Sequence, residues 1–188
     1  MTISIEALSA ENMPLWLDFF DKRALKDNPD WDGCYCQAYL NSKEDEAAIE
    51  ASGVPYQEAF RKLACERQIS KKMQGYIAIE NGNVVGWLEA GPGNNFPNFP
   101  QTTEKVARAI CFTIDPEHRG KGLAKSLLTF AIDDFKSRGY EKLEVRGVPE
   151  GLPAPRYYPG AIKMYEAFGF KISHQFDDGY VLMQLNLI

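Results

Sequence analysis

The chain lacks a long apolar run. Its longest stretch without a charge, residues 90–103, is 14 residues long, and eight of these are Gly, Pro or Asn. A membrane-spanning helix needs about 20 mostly apolar residues. Cationic blocks are also missing: 21 Lys plus Arg stand against 26 Asp plus Glu, for a net charge of −5. Without a basic stripe there is no surface on which to track nucleic-acid phosphates. No Lys or Arg precedes Lys22, whereas Glu6, Glu11 and Asp18 do, the opposite of the basic start of a secretory signal. Metal-ligating residues are few. His118, His174, Cys34, Cys36, Cys65 and Cys111 are scattered, and Cys34-Tyr-Cys36 is too tight for the usual Cys-x2–4-Cys pairing of structural zinc. The expectations are no metal, no membrane, no nucleic-acid partner, and free thiols in a reducing cytoplasm.

What is present is an ordinary globular composition, 188 residues with 45% hydrophobic and 25% charged, enough for one domain with a sizeable core. Alternating residues 2–8 read as a strand, and Ser9 can cap a helix reaching about Leu25. Residues 27–42 read as a loop. Helical periodicity follows Ser42, breaks near Gly53-Val54-Pro55 and resumes to about Met73. Two strands, 75–80 and 84–90, flank Asn81-Gly82-Asn83, a strong hairpin signal. A Gly/Pro/Asn loop leads to an apolar strand over 106–114. An amphipathic helix over 123–138 is followed by a strand over 142–148 and a loop over 149–159. A short helix over 161–168 and a hairpin, 170–176 with 180–186, complete the chain. The expected fold is a single mixed α/β domain over residues 1–188, with an extended helical and loop segment at about 27–73.

Chemistry concentrates at the end of the 106–114 strand. Asp115-Pro116 turns the chain, and Arg119-Gly120-Lys121-Gly122 opens the long helix. Free N–H groups at a helix N-terminus, the dipole behind them and glycines that let a ligand approach make an anion site. A Walker A loop does not fit, because its required glycines fall on Arg119 and Ala124. A Rossmann fingerprint fails because Lys125 stands where the third glycine belongs.

Arg119-Gly120-Lys121-Gly122-Leu123-Ala124 instead matches Arg-x-x-Gly-x-Ala, and here the chain resembles the GNAT superfamily of acyl-CoA-dependent N-acyltransferases. A second segment, Ala161-Ile-Lys-Met-Tyr165-Glu-Ala-Phe-Gly169-Phe170, resembles that family's Ala-x-x-x-Tyr-Glu-x-x-Gly-Phe helix. The two occur in the family's order and spacing. The segment Trp31 to Cys36, Trp-x-Gly-Cys-x-Cys, is similar to one in a bacterial branch of the superfamily. The resemblance implies a mostly antiparallel seven-stranded sheet with helices on both faces, and acetyl-CoA as acyl donor. It implies that Arg119, Gly120, Lys121, Gly122, Leu123 and Ala124 hold the CoA pyrophosphate through their backbone, and that Phe112, Thr113 and Ile114 pair with the pantetheine arm. An N–H near Ile114 would polarise the thioester carbonyl. A primary amine, on a small molecule or a peptide, would attack directly, and Tyr165 would protonate the departing thiolate. The competing reading of Tyr165 is a core tyrosine on an amphipathic helix.

The departures from the family pattern narrow these expectations. Tyr158 stands where many members have an Asn that contacts CoA. Arg108 stands where the histone-acetylating branch has its glutamate base, so histone-type acceptors are not expected. Glu144, mid-strand, is the first replacement base and Glu89 the second, with an ion-paired face as the alternative for Glu144. Strand alternation puts Arg108 on one face with Ile110, Phe112 and Ile114, where a guanidinium needs a partner. That partner is either a substrate anion or an acidic side chain such as Asp133 or Glu104. Trp31, Tyr35, Tyr39, Phe96 and Phe99 form either a ring-lined acceptor pocket or a hydrophobic plug. Arg67, Lys71 and Lys72 read as a solvated helix end. A non-catalytic acyl-CoA-binding module is the alternative function, and a homodimer is left open.

Overall fold

The computed structural model describes residues 2–151 and 158–188. Of the loop expected over 149–159, residues 152–157 lie outside the described residues. The elements run β1 (Ser4–Ala7), α1 (Met13–Lys22), α2 (Lys43–Ser52), α3 (Tyr56–Ile69), β2 (Gly75–Glu80), β3 (Asn83–Pro92), β4 (Val106–Ile114), α4 (Leu123–Ser137), β5 (Lys142–Gly147), α5 (Ile162–Glu166), β6 (Lys171–Gln175) and β7 (Val181–Asn186). The described strands form one seven-stranded sheet in the order β1-β2-β3-β4-β5-β7-β6. Only β4 and β5 pair in parallel. The expected mixed, mostly antiparallel sheet with helices on both faces is what the chain builds.

Local chemistry sets the boundaries. Asn81 and Gly82 both have positive φ, +51° and +76°, as a two-residue type I′ hairpin requires. Ser42 and Asp45 form a reciprocal capping box at the start of α2, which is why helix follows that serine so closely. Several expected ends shift. α1 runs from Met13 to Lys22, short of Leu25: Ser9 N–H donates to the Asn12 side chain at 2.8 Å and Asn12 N–H to the Ser9 hydroxyl at 3.4 Å, closing a turn ahead of the helix. α3 stops at Ile69, not near Met73, because Lys71 adopts a left-handed φ of +58° and reverses the chain.

The core lies in two halves, one on each side of the sheet. Trp16, Phe19 and Phe20 of α1 pack with Trp87, Phe60 and Ile110 on one side, and Leu127, Leu128, Ala131 and Phe135 of α4 pack with Leu88, Phe112, Val145 and Tyr165 on the other. All nine residues of β4 are buried. Its register against β3 passes from Glu89↔Cys111 to Ala90↔Ala109, leaving Ile110 as an extra residue. Such a bulge bends a strand and resets its alternation. Arg108, Ile110 and Cys111 therefore face α1, while Phe112 and Ile114 face α4. This corrects the expectation that Arg108 shares a face with Phe112 and Ile114.

Past the bulge β4 loses its parallel neighbour, since pairing with β5 ends at Ala109↔Val145. The chain around residues 158–161 lies in the fork. Phe112 N–H donates to the Tyr158 carbonyl at 2.6 Å, and Val148 N–H donates to the Gly160 carbonyl at 2.9 Å. Below the fork Arg108, 1% exposed, is fully engaged. It donates to Glu144 at 2.8 Å, to the Gly93 carbonyl at 2.8 Å and to the Pro100 carbonyl at 2.7 Å. The partner is thus Glu144, directly across the β4–β5 pair, and not Asp133 or Glu104.

Arg67 is a second correction. It is 5% exposed, not solvated, and donates to Gln37 at 2.8 Å, Asn41 at 2.7 Å and Asp45 at 3.0 Å. One guanidinium thereby ties α3 to α2 and to the loop before it.

Removing one partner of a buried ion pair strands the other charge. Glu144→Ala is expected to cost about 3 kcal/mol, a fall in Tm of roughly 6–12 °C for a chain of this size. Acetyl-CoA affinity measured well below the Tm should be unchanged. Thermal unfolding followed by circular dichroism checks the first, and isothermal titration the second.

Candidate active site

Two cavities meet at the fork in the sheet. The larger is an open groove between the ends of β4, α4 and α5, enclosing about 1050 Å³ with its open side included. Phe112, Ile114, Arg119, Ala124, Gly160 and Met164 line it. At its α4 end, Gly120 and Gly122 hold φ of +73° and +83°, and a Cβ on either would meet nothing within 4 Å. These glycines serve backbone conformation rather than packing. The bond from Ser126 N–H to the Gly122 carbonyl, 3.1 Å, opens the helix, so the N–H groups before it point out of its end.

Arg119 lies across this groove. Its Nε donates to the Ile114 carbonyl at 3.1 Å, and its two terminal nitrogens clasp the Asp27 carboxylate. Arg119 in turn holds the Asp27 carboxyl below its usual range. The expected CoA-loop residues divide in space. Phe112, Ile114, Arg119 and Ala124 line the groove, whereas Lys121 and Leu123 line a separate hollow with Ile3, Ile5, His118 and Ser126. Thr113 points to the other side of the sheet.

Tyr165, on α5, is fully buried and donates its hydroxyl hydrogen to the Pro159 carbonyl. Its ring lies against Phe112 and Phe170, at centroid distances of 6.5 and 5.4 Å. Gly160 makes room for it: with φ +102°, a Cβ there would stand 2.6 Å from the hydroxyl oxygen. Burial pushes the hydroxyl well above its ordinary pKa, with smaller contributions from Cys111 and Tyr39 nearby. It stays protonated across the neutral range.

The second cavity is a slot on the α1 side of the sheet, about 480 Å³ with its mouth included. Trp31, Tyr39, Tyr158 and Tyr180 contribute rings, and Cys34, Cys36, Cys111 and Thr113 line it as well. Tyr158 lines both cavities and forms the wall between them. The expected aromatic cluster therefore splits. Trp31 and Tyr39 line the slot. Tyr35 packs on Phe20 and donates to Asp21 at 2.6 Å, while Phe96 and Phe99 are buried as a plug beside Arg108.

Comparison with known proteins decides the family. The acetyltransferase (GNAT) family matches residues 16–170. The chain belongs to that family. Among curated GNAT relatives, the L-methionine sulfoximine/L-methionine sulfone acetyltransferase of Salmonella typhimurium is 28% identical over 109 residues, 56% of this chain and 57% of that protein. The L-amino acid N-acyltransferase MnaT of Escherichia coli is 27% identical over 109 residues, 56% of each chain. The match thus spans a little over half the length of these relatives. Solved GNAT structures share the fold. The paiA N-acetyltransferase of Thermoplasma acidophilum, solved with coenzyme A, superposes with a TM-score of 0.57 at 18% identity, covering 99% of each chain. The yncA protein of Salmonella typhimurium, solved with acetyl-CoA, also gives 0.57 at 18% identity, covering 100% of this chain and 95% of that one.

Within this GNAT fold the titratable groups around the slot are unusual. Glu89, paired across the strands with Cys111, is fully buried, and neither of its carboxylate oxygens has a partner among the described residues. Burial holds its carboxyl well above the ordinary value, opposed by Arg67, which favours the protonated form. Burial also pushes the Cys34 thiol up to about 12 and the Cys36 thiol well above its usual value. These thiols are poor nucleophiles. Two consecutive non-glycine residues in left-handed conformation, Tyr35 at φ +42° and Cys36 at +51°, aim the sulfurs into the slot. Strain of this kind persists only where surrounding structure enforces it; here Asp21 holds Tyr35, and Gln37 holds the Tyr35 carbonyl at 2.8 Å. Among the described residues, no group of three His, Cys, Asp or Glu is placed to hold a metal, and no helix is long and apolar enough to cross a membrane.

The buried Glu89 carries a stability signature. The folded protein keeps a proton that the unfolded chain releases near 4.5, so stability falls as pH rises above that value, by about 1.4 kcal/mol per unit until Glu89 ionises. Glu89→Gln removes this slope while keeping the shape. The variant's Tm is expected to exceed the wild type's by a margin that grows from pH 4.5 upward, as read by calorimetry across pH. A margin independent of pH contradicts the assignment.

Proposed function

We propose that this protein transfers the acetyl group of acetyl-CoA to a primary amine, on a small molecule or a peptide, by direct attack of the amine on the thioester. The observation that carries this reading is the position of Tyr165. Its hydroxyl rests on Pro159, which lines the slot, next to Gly160, which lines the groove. Tyr165 itself lines neither cavity, but its hydroxyl sits on the 159–160 segment that both share, and that adjacency supports reading it as the proton donor.

The parts fit the acyl donor. The N–H groups at the start of α4 and the Arg119 guanidinium offer an anion site for a pyrophosphate. Beyond the bulge, β4 offers backbone groups to an extended amide chain, with Phe112 N–H passing from the Tyr158 carbonyl to that chain and Arg119 passing from Asp27 to phosphate. Acetyl-CoA supplies the activated acyl group. Tyr165, held protonated by burial, gives its proton to the departing sulfur and regains one from solvent.

Of the two carboxylates expected as base, neither is free to act. Glu144 is held by Arg108 and Glu89 is sealed beneath Cys111, so the roles expected for them pass to bulk water, and the amine reacts in its neutral form. Buried neutral thiols argue for direct transfer over an acyl-cysteine route. They also suit a reducing, cytoplasmic setting.

Two outcomes test this reading. Tyr165→Phe is expected to lower kcat on the order of 100-fold, with the acetyl-CoA Kd within about twofold of wild type, read by free-thiol release and titration. Retained turnover removes Tyr165 from the chemistry, and tight acetyl-CoA binding without turnover of any amine favours the non-catalytic module. Separately, kcat/KM for the amine should rise with pH along the amine's own ionisation and hold to about pH 10, the ordinary tyrosine value. A decline between pH 7 and 9 contradicts a tyrosine acid raised by burial.

A further inference from the structure

The slot has a chemistry of its own, and it narrows the acceptor beyond "a primary amine". We infer that the acceptor is an arylalkylamine: a flat, uncharged aromatic ring that enters the slot, joined by a short aliphatic arm to a primary amine and carrying no carboxylate. The inference rests on the acetyl-transfer reading above.

Three features of the slot support it. Its walls are mostly rings and sulfur, with Leu25, Thr113 and Pro159 among them. Trp31 and Tyr158 face each other at a centroid distance of 6.3 Å and 45°, and Tyr39, Tyr180, Cys36 and Cys111 lie deeper. Aromatic rings stack offset or edge-on with such partners, and sulfur packs well against their edges. Next, among the described residues no Asp, Glu, Lys or Arg lines it, and burial holds the Cys34 and Cys36 thiols in their protonated form. An α-carboxylate or a second ammonium drawn into this space would lose water without gaining a partner.

Finally, a cation that lies against two of the slot's rings is already engaged. The Arg146 guanidinium stacks on Tyr180 at 4.2 Å and lies over Phe176 and Tyr39 at 5.5 and 5.8 Å, with Asp178 closing the pair. It braces two of the slot's rings from behind. Its Nε, buried and without a partner among the described residues, is a group that would serve a carboxylate instead, and the test includes that case. A ring seated among these walls leaves its arm at Pro159, beside the Tyr165 hydroxyl, so the ring positions the amine for attack.

The test compares matched acceptors in an acetyl-CoA-dependent thiol-release assay: 2-phenylethylamine, propylamine without the ring, phenylalanine with an added carboxylate, and 1,4-diaminobutane with a second cation. The kcat/KM for 2-phenylethylamine is expected to exceed each of the others by at least about tenfold, the scale of discrimination a pocket achieves through its contacts. Trp31, 39% exposed at the mouth, can be changed without opening the core. Trp31→Ala is expected to raise KM for 2-phenylethylamine about tenfold. Equal values across the panel overturn the inference, and so does a preference for diaminobutane. A preference for phenylalanine overturns it too and assigns the Arg146 Nε to the carboxylate.

Binding of 2-phenylethylamine without acetyl-CoA, followed by the Trp31 fluorescence that Trp31→Ala removes, separates this inference from the reading beneath it. If the amine binds the slot but acetyl-CoA fails to bind the groove, the acetyl-transfer reading fails and the slot's selectivity stands. If acetyl-CoA binds, propylamine is acetylated and 2-phenylethylamine neither binds nor reacts faster, the slot assignment alone fails.

Discussion

One extra residue in one strand organises the molecule. Ile110 bulges out of the β3–β4 ladder, and two consequences follow. The alternation of β4 resets, so Cys111 and Thr113 face α1 while Phe112 and Ile114 face α4. The parallel pairing with β5 also ends, at Ala109↔Val145. The resulting fork exposes backbone polar groups in the middle of a sheet, which is stable only if something pairs with them. Around the fork the chain pairs Tyr158 with Phe112 and Gly160 with Val148. It thereby sets one cavity on each face, with Tyr158 between them. The same loop delivers the Pro159 carbonyl to Tyr165. Groove, slot and the seat of Tyr165 all depend on that single irregularity.

The long segment between β1 and β2 closes the slot. Its loop carries strained residues and buried polar groups, and charge holds it in place. Arg67 gathers Gln37, Asn41 and Asp45, and Asp21 accepts from both Tyr35 and Arg61. Buried arginines satisfied by several acceptors specify geometry more than they stabilise. The lower sheet repeats the device, with Arg108 joining β4, β5 and the loop after β3 through Glu144, Pro100 and Gly93. An acidic chain of net charge −5 thus uses buried cations as struts and keeps Arg119 at the groove.

Much of this is legible in the sequence where local physics decides. Asn81-Gly82 can hardly form anything but a tight hairpin turn. The order strand, Asp-Pro turn, basic glycine turn, amphipathic helix announces an anion site before any fold is known. What stays hidden is the long-range part. Strict alternation through β4 puts Arg108 with Phe112, because no residue in the strand marks the bulge, which arises only in register with β3. Arg67 looks like one more cation at a helix end until Gln37, Asn41 and Asp45 arrive from 22 to 30 positions away. Glu144 shows up as a carboxylate mid-strand, yet its role is set by the residue opposite. Glu89 reads in the sequence as a second candidate base at a strand end; that neither of its oxygens has a partner among the described residues is a property of packing. The positive φ at Tyr35 and Cys36 has no glycine to advertise it.

The central claim is that the acyl donor lies in the fork, held by the start of α4 and by the outer edge of β4. Amide hydrogen exchange with and without acetyl-CoA tests it most directly. Added protection is expected at the amides of Ile114 and of residues 120–125, with none at Ile3 or at Ile5 of β1. Protection at Ile3 and Ile5, or at α2 and α3, with residues 112–125 unchanged, would contradict the account.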